Sequence, residues 1–470
     1  MKNIEVFKDE MINDLMDFIR IPGIAGKSEG KEYPFGKSTA EALDYVIKIA
    51  DKMGFAHKNY ENYTAEVTLG EGSKIIGILC HADVVDGGSG WSSNPFEPVI
   101  KDGEIYGRGV IDDKGPLISC LYAMKLIKDN NLLPEGYQIK MIIGTDEEEN
   151  WESIDYYLKQ KPQLPKISIV PDANFPVIFC EKGLMNFRIQ KGDFNGKLNE
   201  NSYISSLVGG ERANVVPTNA SCVLKSYKSD YSFEREKELL SHYCKIKNIP
   251  IDFSEGEKEL VVYVKGKGAH AMTPEKGINA ISYLLSALAE IKTSENEKSV
   301  IDFYNRYIGL DYNGNGINCN LYDECSGKTT VNVGMAKYEE DAFECTVNLR
   351  YPVSYTFDDV SARITKALSE ENCKIEWGVC MNPISFNQES EIIKKLMSAY
   401  QSVTGDCSSE PISLGGATYA RAIPNAVAFG PVFPNQEELA HEADEHYSIS
   451  DLQRIVNIYM DALLKLCDRS

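Results

Sequence analysis

Five short segments, far apart in the chain, each offer a metal ligand at the end of a predicted strand or in the turn after it. They are His81 in Cys80-His81-Ala82-Asp83, Asp112 in Gly107-Arg108-Gly109-Val110-Ile111-Asp112-Asp113-Lys114-Gly115, Glu148 in Thr145-Asp146-Glu147-Glu148, Asp172 in Pro171-Asp172-Ala173, and His441 in Ala440-His441-Glu442. Two imidazoles and three carboxylates suit a pair of hard-to-borderline divalent cations that share one bridging carboxylate. The charges agree, since three carboxylates and a hydroxide neutralise two divalent ions. Without cations the acids would repel one another.

His81 and Asp83 stand two apart, so on an extended strand they share a face. Asp83 is then placed to hold the second ring nitrogen of His81 and fix its tautomer. Cys80 alternates to the opposite face and belongs in the core. The run Glu147-Glu148-Glu149, taken alone, is an ordinary solvated turn, and only its position after an apolar strand in the ordered series makes it a site. Asp172 alone could equally begin a turn. His446 competes with His441, and the Ala-His-Glu-Ala-Asp-Glu wording favours His441.

The elements that must position these residues alternate along the first part of the chain. Ile4, Phe7, Met11, Leu15 and Phe18 recur at helical intervals until Pro22-Gly23, and a second helix is expected to open with a capping box at Ser38 and Glu41 and to stop at Gly54. Apolar runs follow at Ile75 to Cys80, Ile139 to Ile143 and Ile167 to Val170, with helices predicted near Leu117 to Ile127 and after Trp151. Such alternation predicts an α/β domain whose mixed, mostly parallel sheet is sandwiched by helices, with ligands at the carboxyl ends of its strands.

After about Gly183 the rhythm changes to antiparallel-looking runs at Tyr203 to Val216, Glu259 to Lys265, Thr330 to Tyr338 and Phe343 to Tyr351, broken by a helix over Ile278 to Ile291. Residues 183–380 are therefore read as an inserted α+β domain between two parts of a catalytic domain, 1–182 and 381–470. The second part carries a helix at Glu389 to Val403, a strand at Ala426 to Phe429 and a closing helix at Asp451 to Leu466.

The chain has 470 residues, 43% of them hydrophobic, which is material for more than one core. A net charge of −21 argues against nucleic acid or an anionic membrane as partner, because either needs a basic surface. The first twenty residues mix acids with apolar residues, and no stretch reaches membrane-spanning length, so the expected location is the cytoplasm. Twelve scattered cysteines without a CxxC pair read as free thiols.

In order and wording the five segments resemble the dinuclear metallopeptidases of the aminoacylase and glutamate-carboxypeptidase superfamily, and within it the PepV-type dipeptidases of bacteria. The run Gly90-Trp91-Ser92-Ser93-Asn94-Pro95-Phe96-Glu97-Pro98 before Gly107-Arg108-Gly109 and Asp112-Asp113-Lys114-Gly115-Pro116 adds to that likeness. The resemblance implies zinc, or manganese, held by His81, Asp112, Glu148, Asp172 and His441, with Asp112 bridging and the peptide to Asp113 cis. It gives Glu147 the catalytic role of taking a proton from a metal-activated water and returning it to the leaving amine. Asp83 joins it as the orienting carboxylate.

Within the insert, Lys267-Gly268-Ala269-His270-Ala271 matches the segment that supplies an oxyanion-stabilising histidine, so His270 is expected to donate to the tetrahedral oxygen. Its plain alternative is a helix-capping histidine. Asn214 and Arg350 match substrate-contacting positions, with Gly416 and Arg421 as further candidates; an arginine fork suits a free carboxylate, and the plain alternative for either arginine is a surface ion pair. The implied substrate is a dipeptide or another small amide with a free carboxylate. The long insert resembles an internal substitute for a partner subunit, which implies a competent monomer. An N-acyl-amino-acid deacylase would share every ligand, and a metal- or peptide-binding protein that kept the fold would not need Glu147 and His270.

Two other motifs are set aside. Five residues rather than four separate Gly30 from Gly36-Lys37-Ser38, which disqualifies a phosphate loop. Asp311-Tyr312-Asn313-Gly314-Asn315-Gly316 begins like a calcium loop, but its twelfth position is Tyr322, which has no carboxylate.

Overall fold

Seven of the eight residues of Lys74–His81 are buried, a continuous apolar strand of the kind that needs cover on both faces. It lies near the middle of a six-stranded sheet, in the order Ala56–Tyr60, Thr64–Leu69, Tyr137–Gly144, Lys74–His81, Ile167–Val170, Ala426–Ala428. The first two junctions are antiparallel and the other three parallel. The computed structural model describes residues 2–192, 202–228 and 231–468. Its chain divides into two compact units, one formed by Met1–Phe179, Phe386–Ile412 and Ala417–Ser470, the other by Cys180–Ser385 and Ser413–Gly416. The class is α/β with mixed sheets.

In the first unit the helix Lys114–Asp129 is apolar nearly all round, with Leu117, Ile118, Leu121 and Leu126 fully buried. Each such side chain contributes about 1.5–3 kcal/mol on leaving water. That helix packs against Ile449–Leu466, which in turn packs against Glu391–Thr404. Register matters for the site, since His81 pairs with Gly144 at the carboxyl ends of neighbouring strands. The residues just past both strand ends therefore emerge side by side.

The second unit is built on an eight-stranded antiparallel sheet ordered Ile251–Glu255, Glu259–Lys265, Asn219–Ser226, Ser202–Gly209, Thr330–Glu339, Ala342–Tyr351, Gly183–Lys191, Cys373–Met381. Alternate residues of Asn219–Ser226 are buried, and with the helix Ala280–Leu288 they join one core. The single run expected from Tyr203 to Val216 ends at Gly209. Gly210 then turns at φ +72, where a Cβ would meet the Gly334 carbonyl oxygen at 1.9 Å. Periodicity also did not single out the helices Glu234–Lys247, Glu295–Tyr307 and Phe357–Ala367, whose buried faces are set by this sheet.

The capping box expected at Ser38 and Glu41 does not form. Gly36, at φ +92, is the N-cap of Lys37–Lys52, so the helix begins before Ser38. Ser38 Oγ instead accepts the Gly23 N–H at 2.8 Å, and Glu41 pairs with Lys37 at 3.3 Å. The 311–316 segment is a turn tied by the Asp311 carboxylate to the backbone N–H groups of Asn313 and Asn315.

Candidate metal centre

Three strand ends, one helix start and one distant loop supply the site, all within the first unit. His81 closes the strand Lys74–His81, Glu147 and Glu148 follow Tyr137–Gly144, Asp172 follows Ile167–Val170, and Asp112 precedes the helix Lys114–Asp129. His441 comes from the loop before His446–Ser448. Asp112 stands between the two imidazoles, its Oδ1 3.0 Å from His81 Nε2 and its Oδ2 2.9 Å from His441 Nε2. Asp172 Oδ2 is 3.9 Å from His81 Nε2, and Glu148 Oε1 is 3.0 Å from His441 Nε2. The peptide between Asp112 and Asp113 is cis.

Proximity draws two sets of possible ligands from this cluster, His81 with Glu147 and Asp172, and His81 with Asp112 and Glu148, the ligand atoms of each lying within 4.8 Å of one another. The second set crosses the two oxygens of Asp112. Because each oxygen faces its own imidazole, we divide the cluster instead as His81 with Asp172 and His441 with Glu148, Asp112 common to both. Glu147 nevertheless lies within ligand distance of His81 and Asp172.

The donor set fits cations. His81 Nε2 and Asp112 Oδ1 are buried 3.0 Å apart, and among the described residues neither has a hydrogen-bond partner beyond that approach. Burial works against a charged His81, yet Asp112 and Asp83 raise its pKa well above an ordinary histidine's. The Glu148 charge does the same for His441. Burial, then the Asp112 charge, pushes the Asp172 carboxyl up to about 8, and burial pushes Glu147 well above the usual carboxylate range. Burial would raise Asp112 too, but the two imidazoles outweigh it and hold its carboxyl below that range. Crowded buried acids that hold protons, and imidazoles that gain them, are what a divalent cation replaces.

Asp83 departs from the expected geometry. His81 Nδ1 lies 3.0 Å from the Asp83 backbone carbonyl oxygen, whereas the Asp83 carboxylate is 3.5 Å away. The carboxylate turns instead to Glu148, accepting its backbone N–H at 3.1 Å. A carbonyl can only accept, so Nδ1 carries the proton and Nε2 presents its lone pair to the cluster. Asp113 Oδ2 accepts the His81 N–H at 3.1 Å. Cys80 is buried, as alternation requires. His446 is elsewhere, stacked on Tyr106.

Most of the residues that support the site are given no role by the sequence reading. Asp146 accepts the N–H groups of Asn150 and Glu152, at 3.3 and 2.8 Å, and so shapes the turn that presents Glu147 and Glu148. Tyr419 bonds Ser153 at 3.0 Å and stands edge-on to His81. Arg108 and Glu445 form a buried ion pair at 2.8 Å. Arg421, in the short helix Tyr419–Arg421, is part-buried in this unit.

The remaining candidates belong to the second unit. Arg350 is buried, its Nε donating to Asn348 Oδ1 at 3.0 Å and its Nη1 to the Gly415 carbonyl at 2.6 Å, next to Gly416. His270 is exposed and pairs with Val215 as an isolated bridge. Its Nδ1 accepts the Met272 N–H at 3.2 Å, which puts the ring proton on Nε2. Asn214 is exposed, and its carbonyl accepts the Ala271 N–H at 2.9 Å. Asn332 Nδ2 donates to the carbonyls of Ala213 and Val215, so one buried amide fixes that turn.

Carboxylates and imidazoles gathered at the carboxyl edge of a mostly parallel sheet define a metal-dependent hydrolase. The chain belongs to peptidase family M20/M25/M40, whose sequence profile matches residues 77–465, and is a metallopeptidase. It is 33% identical over 471 residues to a Staphylococcus aureus protein provisionally named a dipeptidase, the match covering 99% of each chain. In fold it is similar to an M20 family metallo-carboxypeptidase of Sulfolobus solfataricus, with a TM-score of 0.59 and 18% identity over 98% of this chain and 100% of the other. Human carnosine dipeptidase 1 shares the fold at a TM-score of 0.56 and 14% identity, covering 99% of this chain and 97% of its own. Among the described residues no helix is long and apolar enough to cross a membrane.

Proposed function

We propose that this metallopeptidase is a dipeptidase that works with two divalent ions per chain, zinc or manganese. One observation carries the reading: the two oxygens of Asp112 face His81 on one side and His441 on the other. Asp172 completes the His81 side and Glu148 the His441 side, so two ions would share the Asp112 carboxylate. When bound, they would polarise the amide carbonyl and acidify the attacking water.

The chain's own groups do the rest. Asp83 holds His81 by its backbone carbonyl and Glu148 by its carboxylate, which keeps one ligand on each side in place. Glu147 takes the water's proton on a carboxylate oxygen and hands it to the leaving nitrogen. His270, protonated at Nε2, donates to the developing oxyanion, and Arg350 or Arg421 takes the free carboxylate as a fork, with Asn214 and Gly416 contacting substrate. The names of the Staphylococcus aureus relative and of human carnosine dipeptidase 1 support a dipeptide substrate.

The test is turnover of a dipeptide panel against N-acetyl and N-succinyl amino acids, with zinc or manganese added after chelation. Dipeptides are expected to be cleaved and the acylated amino acids to be poor substrates. The reverse preference would make the protein a deacylase.

A further inference from the structure

Arg108 and Glu445 sit behind the ligands, and neither belongs to the set assigned above. Both are buried, at 2% and 0% exposure. Removing two charges from water is costly unless the pair and the surrounding hydrogen bonds offset it. Here the Glu445 hydrogen bonds run to the Asp112 loop, and Arg108 reaches the His441 loop as well as the carbonyls of Asp86 and Gly87, each at 3.4 Å from Nη2. Glu445 Oε1 accepts the N–H groups of Ile111 at 2.8 Å and Asp112 at 3.4 Å, while Oε2 accepts that of Gly109 at 3.0 Å and the Arg108 Nη1 at 2.8 Å. The Glu445 carbonyl accepts the Gly107 N–H at 3.0 Å.

Arg108 reaches the other way. Its Nη1 also donates to the Glu442 carbonyl at 3.2 Å and its Nη2 to the His441 carbonyl at 3.3 Å. His441 needs holding, because it is a β-carbon residue in the left-handed region at φ +68. The pair thus joins the loop of Asp112 to the loop of His441, across more than three hundred residues of sequence. The segment from Gly90 to Pro98 backs the same residue: the Trp91 ring centroid lies 5.1 Å from its guanidinium carbon, and the Pro95 carbonyl accepts its backbone N–H at 2.9 Å.

The geometry points to Arg108 and Glu445 as positioning residues that set the separation of Asp112 and His441 and thereby the affinity of the two-metal centre. They touch no reacting atom and act through the backbone of the ligands. The inference rests on the two-metal reading. It goes further in assigning a role to two residues outside the ligand set, one of them more than three hundred residues from the bridge it serves.

The experiment uses full-length chains stripped by chelation, with zinc binding measured by competition against a chromophoric chelator and thermal unfolding of the metal-free chains measured alongside. The neutral pair Arg108→Met with Glu445→Gln avoids leaving one charge unpaired. Arg108→Lys keeps a cation for Glu445 but cannot span the carbonyls of Glu442 and His441. As a control, Lys140→Met with Glu66→Gln neutralises another buried ion pair of the same unit, 2.8 Å long and apart from the ligands. Both neutral pairs are expected to shift unfolding. Only the two Arg108 variants are expected to weaken zinc binding, by about 10–100-fold. Wild-type zinc affinity in either Arg108 variant, or an equal loss in the control, overturns the clamp. Fewer than two zinc ions per wild-type chain defeats the two-metal reading instead, so the two failures are distinct.

Discussion

His441 Nε2 lies 3.0 Å from Glu148 Oε1, although 293 residues of chain separate the two. Glu148 leaves the sheet just after the strand Tyr137–Gly144, and His441 arrives from a loop near the end of the chain. Their neighbour Glu147 emerges from the same turn toward His81 and Asp172. Two adjacent glutamates are thus turned to different sides of one cluster, and substitution should separate their roles.

Glu147→Ala is expected to keep two metal ions per chain and lose about 10²–10⁴-fold in kcat, the range for a general base. Glu148→Ala is expected to lose metal affinity first and activity as a consequence. Elemental analysis beside steady-state kinetics distinguishes them. Loss of an ion from Glu147→Ala would make that residue a ligand.

Chelation is expected to abolish turnover, and zinc or manganese to restore it at two ions per chain. Because the ions bind the folded chain, their removal is also expected to lower the unfolding temperature, by an amount that grows with the free metal concentration used for comparison. Full activity at one ion per chain would contradict the shared role of Asp112.

His270→Ala is expected to lower kcat by about 10²–10³-fold while metal content stays at the wild-type value, as for loss of an oxyanion donor. His270→Gln, which keeps a side-chain N–H, should recover part of the loss. An unchanged kcat would leave the residue a purely local one, tied to Met272.

Arg350 is buried and donates to Asn348 Oδ1 and the Gly415 carbonyl. If it receives the substrate carboxylate, C-terminally amidated dipeptides are expected to lose about tenfold or more in kcat/KM, since a neutral amide cannot accept the guanidinium fork as a carboxylate does. Arg350→Met should erase that discrimination. Equal cleavage of acid and amide by the wild type would remove Arg350 from this role.

Gly144 ends the strand that leads into Glu147, and a Cβ there would lie 2.4 Å from the Tyr419 hydroxyl. Gly144→Ala is expected to cost about 1–3 kcal/mol by overpacking and to reduce kcat by displacing the following turn. Denaturant unfolding together with kinetics checks both, and a neutral effect on each would mean that Tyr419 simply moves.

Much of this protein could be read locally. The continuous apolar run before His81 makes a buried strand because parallel strands are covered on both faces, and the ligand candidates were visible as polar residues placed where such runs stop. The helix Ala280–Leu288 and the strand Glu259–Lys265 likewise follow from periodicity. Local pattern failed where a long-range partner decided the outcome. Ser38 looked like a helix cap, but packing brought it the Gly23 N–H instead. Asp83 was rightly placed beside His81 by strand alternation, yet its carboxylate went to the Glu148 N–H, a choice made by a turn sixty-five residues away. Glu445 closes the Ala-His-Glu-Ala-Asp-Glu wording, which singles out His441 and gives Glu445 no role of its own. Only the tertiary structure, by burying it against Arg108 and the N–H groups of Gly109 and Ile111, leaves its charge nowhere else to be satisfied. The sequence by itself determined which segments become strand ends with ligand-type residues, because hydrophobic period is a short-range property. Which of those residues face one another was decided by packing, because a hydrogen bond between distant segments exists only once the core has set their separation.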